Sequence, residues 1–179
     1  MLPALFLDVD GVLSARKSPW EGVRRSTVTL PHYNVPWALN ISPKLGERLL
    51  ELPVEIHWLT TWRHEANTVV APLAGLPGDL PVIEWEFGET DFASIEGKSR
   101  AVRAWCAEHP GKPYVWVDDE HCEHPERFEG TVRDLTKEAR LLIVGPNETV
   151  GLTPAHLGLI EAWALANAVP SGHGSPTPG

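Results

Sequence analysis

The strongest constraint on this chain lies near its start. Residues 3–7 form a short apolar run that stops on Asp8-Val9-Asp10-Gly11. A run this short, with no apolar–polar alternation, suits a strand buried on both faces, and the glycine supplies a turn. In an extended backbone residues i and i+2 point the same way, so Asp8 and Asp10 face one place from the strand's end. Carboxylates this close repel each other. They are retained beside a cation or where one of them holds a proton. The pattern returns late in the chain, where the apolar residues 114–117 end on Asp118-Asp119.

Three more short runs have strand character. Residues 54–59 are apolar but for Glu55 and His57. Residues 81–85 are a third, shorter run, and 141–144 close on Gly145-Pro146. Helical patterns fall between them. Ser42-Pro43 is an N-cap and first-turn pair for a helix over 44–51. Residues 64–73 carry a second helix. Residues 98–108 carry a third, with Val102 and Trp105 on one face and His109-Pro110-Gly111 as its stop. Thr153-Pro154 opens a last one over 155–166. Such alternation predicts an α/β fold: three Rossmann-like layers around a central, mainly parallel five-stranded sheet. Adjacent strand ends are close in such a sheet, so the acidic pairs can meet at its carboxyl edge, where ligands bind.

Two segments break the pattern. Residues 14–41 carry Arg16, Lys17, Arg24 and Arg25, then two short apolar stretches, and read as a β-hairpin-like flap. Residues 120–140 are a polar connection with room for a short helix. From Pro170 onward the chain is rich in Pro, Gly and Ser and reads as a disordered tail. The 179 residues fit one domain over 1–169. A net charge of −9 excludes broad binding to duplex DNA, which needs a basic surface. No apolar run approaches the ~20 residues that span a bilayer, and no signal-peptide pattern opens the chain. A cytoplasmic protein with two reduced cysteines is expected.

The remaining polar residues at element ends suit an anion. Thr60-Thr61 follows the second strand and offers a hydroxyl and backbone N–H groups to phosphate oxygens. Lys98 opens a helix after Glu96-Gly97, where ammonium and helix N-terminus add positive charge. Three or four carboxylates meeting at one point suit a hard cation such as Mg²⁺. Carboxylates, threonine, lysine and cation together are the parts of a phosphoryl-transfer site.

These four pieces, in this order and each after the right element, resemble the haloacid dehalogenase (HAD) superfamily of phosphatases. Asp8-x-Asp10-Gly11 resembles its first motif, Thr60 its second, Lys98 its third and Asp118-Asp119 its fourth. Leu59-Thr60-Thr61-Trp62 and the small flap, in place of a large cap, resemble the compact phosphatase module of bacterial multidomain RNA-repair proteins. The resemblance implies that Asp8 is the nucleophile and that Asp10 protonates the leaving group and then activates water. Thr60 would bind the phosphoryl group, with Thr61 the other hydroxyl available, and Lys98 would neutralise it. Mg²⁺ would be held by Asp8, Asp118, Asp119 and the backbone carbonyl of Asp10. Gly11, Arg16, Arg24 and Arg25 are the candidates for further substrate contact. The substrate would be a phosphorylated small molecule, a nucleotide or a nucleic-acid end.

Three other readings compete. His121-Cys122-Glu123-His124 has zinc-ligand residue types but no second cluster to complete a four-ligand set, so a polar loop beside the site is preferred. A signalling receiver uses the same residue types in another order, with its lysine last. A phosphate-binding protein without turnover would keep the fold alone.

Overall fold

A computed structural model describes residues 1–29, 36–85, 95–123 and 140–168. Its elements are β1 (Ala4–Leu7), β2 (Arg24–Thr29), β3 (Pro36–Ile41), α1 (Pro43–Leu50), β4 (Glu55–Trp58), a π-helical turn (Ala66–Val70), α2 (Ala71–Ala74), α3 (Ile95–Glu108), β5 (Tyr114–Val117), α4 (Glu120–Glu123), β6 (Leu141–Val144) and α5 (Pro154–Asn167). The main sheet is parallel, in the order β4-β1-β5-β6. A two-stranded antiparallel hairpin, β2-β3, stands apart from it.

Every residue of β1 and β5 is buried, as their unbroken apolar sequence requires. Their side chains divide between two cores. Leu5, Leu7, Val115 and Val117 point to one face, where Leu45 and Leu49 of α1, Ala71 of α2, and Leu157 and Ile160 of α5 cover them. Phe6, Tyr114 and Trp116 point to the other, against Ala101, Val102 and Trp105 of α3. This is the expected three-layer α/β arrangement. A fully buried Leu5, Phe6 or Leu7 contributes about 1.5–3 kcal/mol relative to exposure. Gly46 lets α1 lie directly on α2, since a Cβ there would come 1.8 Å from the Ala74 carbonyl oxygen.

Local chemistry sets the ends. Ser42 caps α1, its hydroxyl accepting the Lys44 N–H at 3.2 Å, with Pro43 in the first turn. Thr153 caps α5 reciprocally with His156, each side chain accepting the other's backbone N–H.

The sheet has four strands among the described residues, not five. Residues 81–85 run beside β4 but make only one bridge, Trp58 with Val82. Trp58 N–H donates to the Pro81 carbonyl and Ile83 N–H to that of Trp58, both at 2.8 Å. Pro81 has no N–H to extend the ladder. The helix expected over 64–73 is instead a π-helical turn followed by α2. Pro72, which lacks an N–H, sits in the first turn of α2. Helix α3 begins at Ile95, so Lys98 lies in its first turn rather than opening it. Helix α4 occupies the start of the 120–140 connection. The rest of that connection, from 124 to 139, and the tail from 170 lie outside the described residues. No described helix is long and apolar enough to cross a membrane.

Candidate active site

The strand register builds the site. Leu7 of β1 pairs with Trp58 of β4 on one side and Val117 of β5 on the other. Pairing runs one residue further: Asp8 N–H donates to the Val117 carbonyl at 3.2 Å, and Leu59 N–H to the Leu7 carbonyl at 3.0 Å. Asp8 and Asp118 therefore emerge side by side at the carboxyl edge, and Thr60 follows one residue past Leu59. The chain leaves β1 for β4 on one flank and later takes β5 on the other. That reversal opens a crevice at the edge of the central strand.

Lys98 reaches into this crevice from the first turn of α3. Its ammonium donates to Asp8 Oδ2 at 2.6 Å and to Asp118 Oδ2 at 2.7 Å. All three side chains are buried. Burial disfavours the Lys98 charge, but the carboxylates of Asp118 and Asp8 more than reverse this and hold the ammonium protonated. For Asp8, burial raises the proton affinity, Lys98 opposes it and Asp118 adds to it. The second oxygen of Asp8 accepts its neighbour's Val9 N–H at 2.7 Å. Asp118 Oδ1 accepts the Glu120 N–H at 3.2 Å, which ties it to the start of α4.

Of the two threonines, Thr60 is the one held inside the site. It is fully buried, and its side chain favours the charged form of the Asp8 carboxyl. It also accepts the Trp62 N–H at 3.4 Å. Thr61 is only partly buried. Arg63 closes this turn in the left-handed region, with φ 47° and its N–H on the Thr60 carbonyl at 3.1 Å.

Asp119 completes an acidic cluster. One carboxylate oxygen from each of Asp8, Asp118 and Asp119 lies within 4.8 Å of the others. Burial pushes the Asp119 carboxyl up to about 8, and the charges of Asp8 and Asp118 add to the rise. Three carboxylates here face one ammonium, and their donor atoms are all oxygen. A divalent, oxygen-preferring cation fits that set on charge and on chemistry. Gly11 permits the close approach, with φ 66°. A Cβ there would stand 2.3 Å from Asp119 Oδ2.

Asp10 points to another wall of the same site. Trp62 Nε1 donates to its Oδ2 at 2.8 Å and Trp37 Nε1 to its Oδ1 at 3.1 Å. Trp62 is buried; Trp37, on β3 of the hairpin, is 43% exposed. Burial raises the Asp10 carboxyl, the Trp62 indole opposes that, and the Asp8 charge supports it. Sequence reasoning missed both indoles as partners of Asp10. Trp62 carried a faint signal, its place directly after Thr60-Thr61. Trp37 carried none, because its partner lies 27 residues away in the chain.

The basic candidates stand apart. Arg25 donates to Asn40 Oδ1 at 3.1 Å, on the hairpin face opposite Trp37. Arg24 is exposed opposite Ile41, and Arg16 is exposed in the loop after β1. None of the three is ion-paired with Asp8, Asp10, Asp118 or Asp119. His121 is buried edge-on against Trp116, with ring centroids 4.6 Å apart. Among the described residues it joins no metal-ligating group, and His124 lies outside them.

Residues 4–157 match the family model of the HAD domain in Swiss Army Knife RNA repair proteins. No curated protein and no solved structure matches the chain. The match covers most of the sequence, so the chain belongs to this family of HAD domains, and that membership supports hydrolase chemistry of the phosphatase type.

Proposed function

We propose that this HAD domain is a Mg²⁺-dependent phosphohydrolase that works through an aspartyl-phosphate on Asp8. The observation that carries the reading is the Lys98 ammonium held between Asp8 and Asp118, with the buried Thr60 at the same strand edge. The shared ammonium opposes the rise in proton affinity that burial gives Asp8 and holds its oxygen in place.

The steps follow from the residues present. An Asp8 oxygen attacks phosphorus and the bond to the leaving oxygen breaks. Asp10 delivers a proton to that oxygen. Water then attacks phosphorus, Asp10 takes its proton, and the Asp8–phosphorus bond breaks to release phosphate. Thr60 and Lys98 hold the phosphoryl oxygens through both steps. Asp8, Asp118, Asp119 and the Asp10 carbonyl would hold Mg²⁺, which would supply further positive charge to the site. The family's RNA-repair setting supports a nucleic-acid terminal phosphate as substrate. The same reading takes residues 1–169 as one domain, with 14–41 as its flap.

The test is phosphate release from a panel, with Mg²⁺ and with EDTA. The panel holds sugar phosphates, mononucleotides, and RNA and DNA oligomers with 5′ or 3′ phosphates. Release that needs Mg²⁺, favours oligomers and falls at least about 10³-fold in Asp8→Asn is the expected result. Full activity in Asp8→Asn would exclude the aspartyl-phosphate. Release from small molecules alone would keep the chemistry and discard the nucleic-acid end.

A further inference from the structure

We propose that Trp37 and Trp62 are positioning residues for Asp10, and that Trp37 makes seating of the hairpin a condition for protonating the leaving group. The inference rests on the reading of Asp10 as the proton donor. Its basis is geometric: each carboxylate oxygen of Asp10 accepts one indole N–H, at 3.1 Å from Trp37 and 2.8 Å from Trp62. The two rings also touch edge to face, with centroids 6.5 Å apart and planes at 86°. Such an edge contact adds to the orientation of both rings.

Two properties of indole make this arrangement useful to a proton donor. Indole N–H donates and does not accept, so neither partner can take the proton that Asp10 must deliver. Two donors on two oxygens also fix the rotation of the carboxyl plane, which one hydrogen bond alone leaves free. Proton transfer needs the donor oxygen within hydrogen-bond reach of the leaving oxygen. An error of about 1 Å in that placement is costly.

The two indoles come from different parts of the molecule. Trp62 follows β4 and is buried. Trp37 is carried by β3, whose next inward-facing residues, Leu39 and Ile41, are buried in the core shared with α1. One end of β3 is thus anchored, and the end that reaches Asp10 is exposed. A hairpin displaced at that end frees one oxygen of Asp10 and leaves Asp8, Thr60, Lys98 and Asp118 untouched.

The test compares two substrates in wild type and Trp37→Phe. One is a mononucleotide, whose alkoxide leaving group needs a proton. The other is dinitrophenyl phosphate, whose phenolate leaves without one. General acid catalysis is worth roughly 10²–10⁴-fold, so half-loosening the acid should lower kcat on the mononucleotide about tenfold or more. On dinitrophenyl phosphate kcat should change less than about threefold, with KM steady on both. In parallel, the indole N–H proton resonances of Trp37 and Trp62 should both move in Asp10→Ala.

Equal losses on the two esters, or a loss confined to KM, would overturn the inference while leaving the phosphohydrolase reading intact. Indole resonances unmoved in Asp10→Ala would overturn it whatever the kinetics. A wild type that releases phosphate from neither ester and from no phosphorylated oligomer would overturn the phosphohydrolase reading, and this inference with it.

Discussion

The carboxylate site has two walls of opposite construction. The inner wall is Asp8, Thr60, Lys98 and Asp118, all buried, set on adjoining strand ends and the first turn of α3. The outer wall is the hairpin, which among the described residues meets the site through the exposed Trp37 indole, hydrogen-bonded to Asp10 and edge-on to Trp62. The inner wall holds its charges away from water, so each group depends on its neighbours for compensation. The outer wall has little to lose when a side chain changes. Substitutions on the inner wall should therefore cost stability and activity together. Those on the outer wall should separate the two.

The largest effect should come from Lys98→Met. The variant leaves Asp8 and Asp118 buried without their shared cation, and breaking a buried pair in this way costs about 3–5 kcal/mol. Chemical denaturation should show that loss, and Mg²⁺ should recover part of it by occupying the acidic cluster. A variant as stable as wild type would mean that the ammonium does not compensate these carboxylates, and the contrast between the walls would collapse.

A pH titration of wild type against a His57 variant sharpens the comparison by reading a group in the body of the fold. His57 on β4 lies against Phe6 and Trp105. Burial lowers its pKa from 6.5 to about 4, and the nearby Lys112 adds to the drop. Between those two values the unfolded chain binds a proton that the folded chain refuses. The contribution of His57 is therefore full above about pH 6.5 and falls as the pH drops toward 4. Partial exposure of the ring reduces the penalty to about 1–3 kcal/mol. His57→Gln should remove that contribution, so that less stability is lost across that window than in wild type. A His57→Gln profile as steep as wild type would assign the acid sensitivity to another group.

The inner wall was legible in the sequence for a physical reason. Asp8, Thr60 and Asp118 each follow a short apolar run, and parallel strands of similar length bring such ends together. Lys98 was legible through its place at the start of a helix. The over-read strand at 81–85 shows the weakness of the same signal. Apolar content suggested a strand, but a ladder also needs donors, and Pro81 has none. The outer wall was legible only as a hairpin. The register that turns Trp37 toward Asp10 depends on which face of β3 the core accepts. Leu39 and Ile41 decide that by burial, and nothing in the local sequence states it. The same register puts Arg25 on the face opposite Trp37, which residue type alone could not reveal.

The smallest effect should come from Arg24 and Arg25, and it bears on what the outer wall is for. Both are exposed, and the hydrogen bond from Arg25 to Asn40 is itself exposed. Replacing both with alanine should change stability by less than about 0.5 kcal/mol. Turnover of a mononucleotide should not move, because neither arginine is paired with the carboxylates. A phosphorylated oligomer is different: each arginine that neutralises a backbone phosphate releases a counterion, with a log–log salt slope of about −0.7 per contact on a single strand. The double variant should then show a shallower salt dependence of kcat/KM on oligomers, with a raised KM. An unchanged slope would remove the arginines from substrate binding and leave Trp37 as the contribution of the hairpin's described residues to the site.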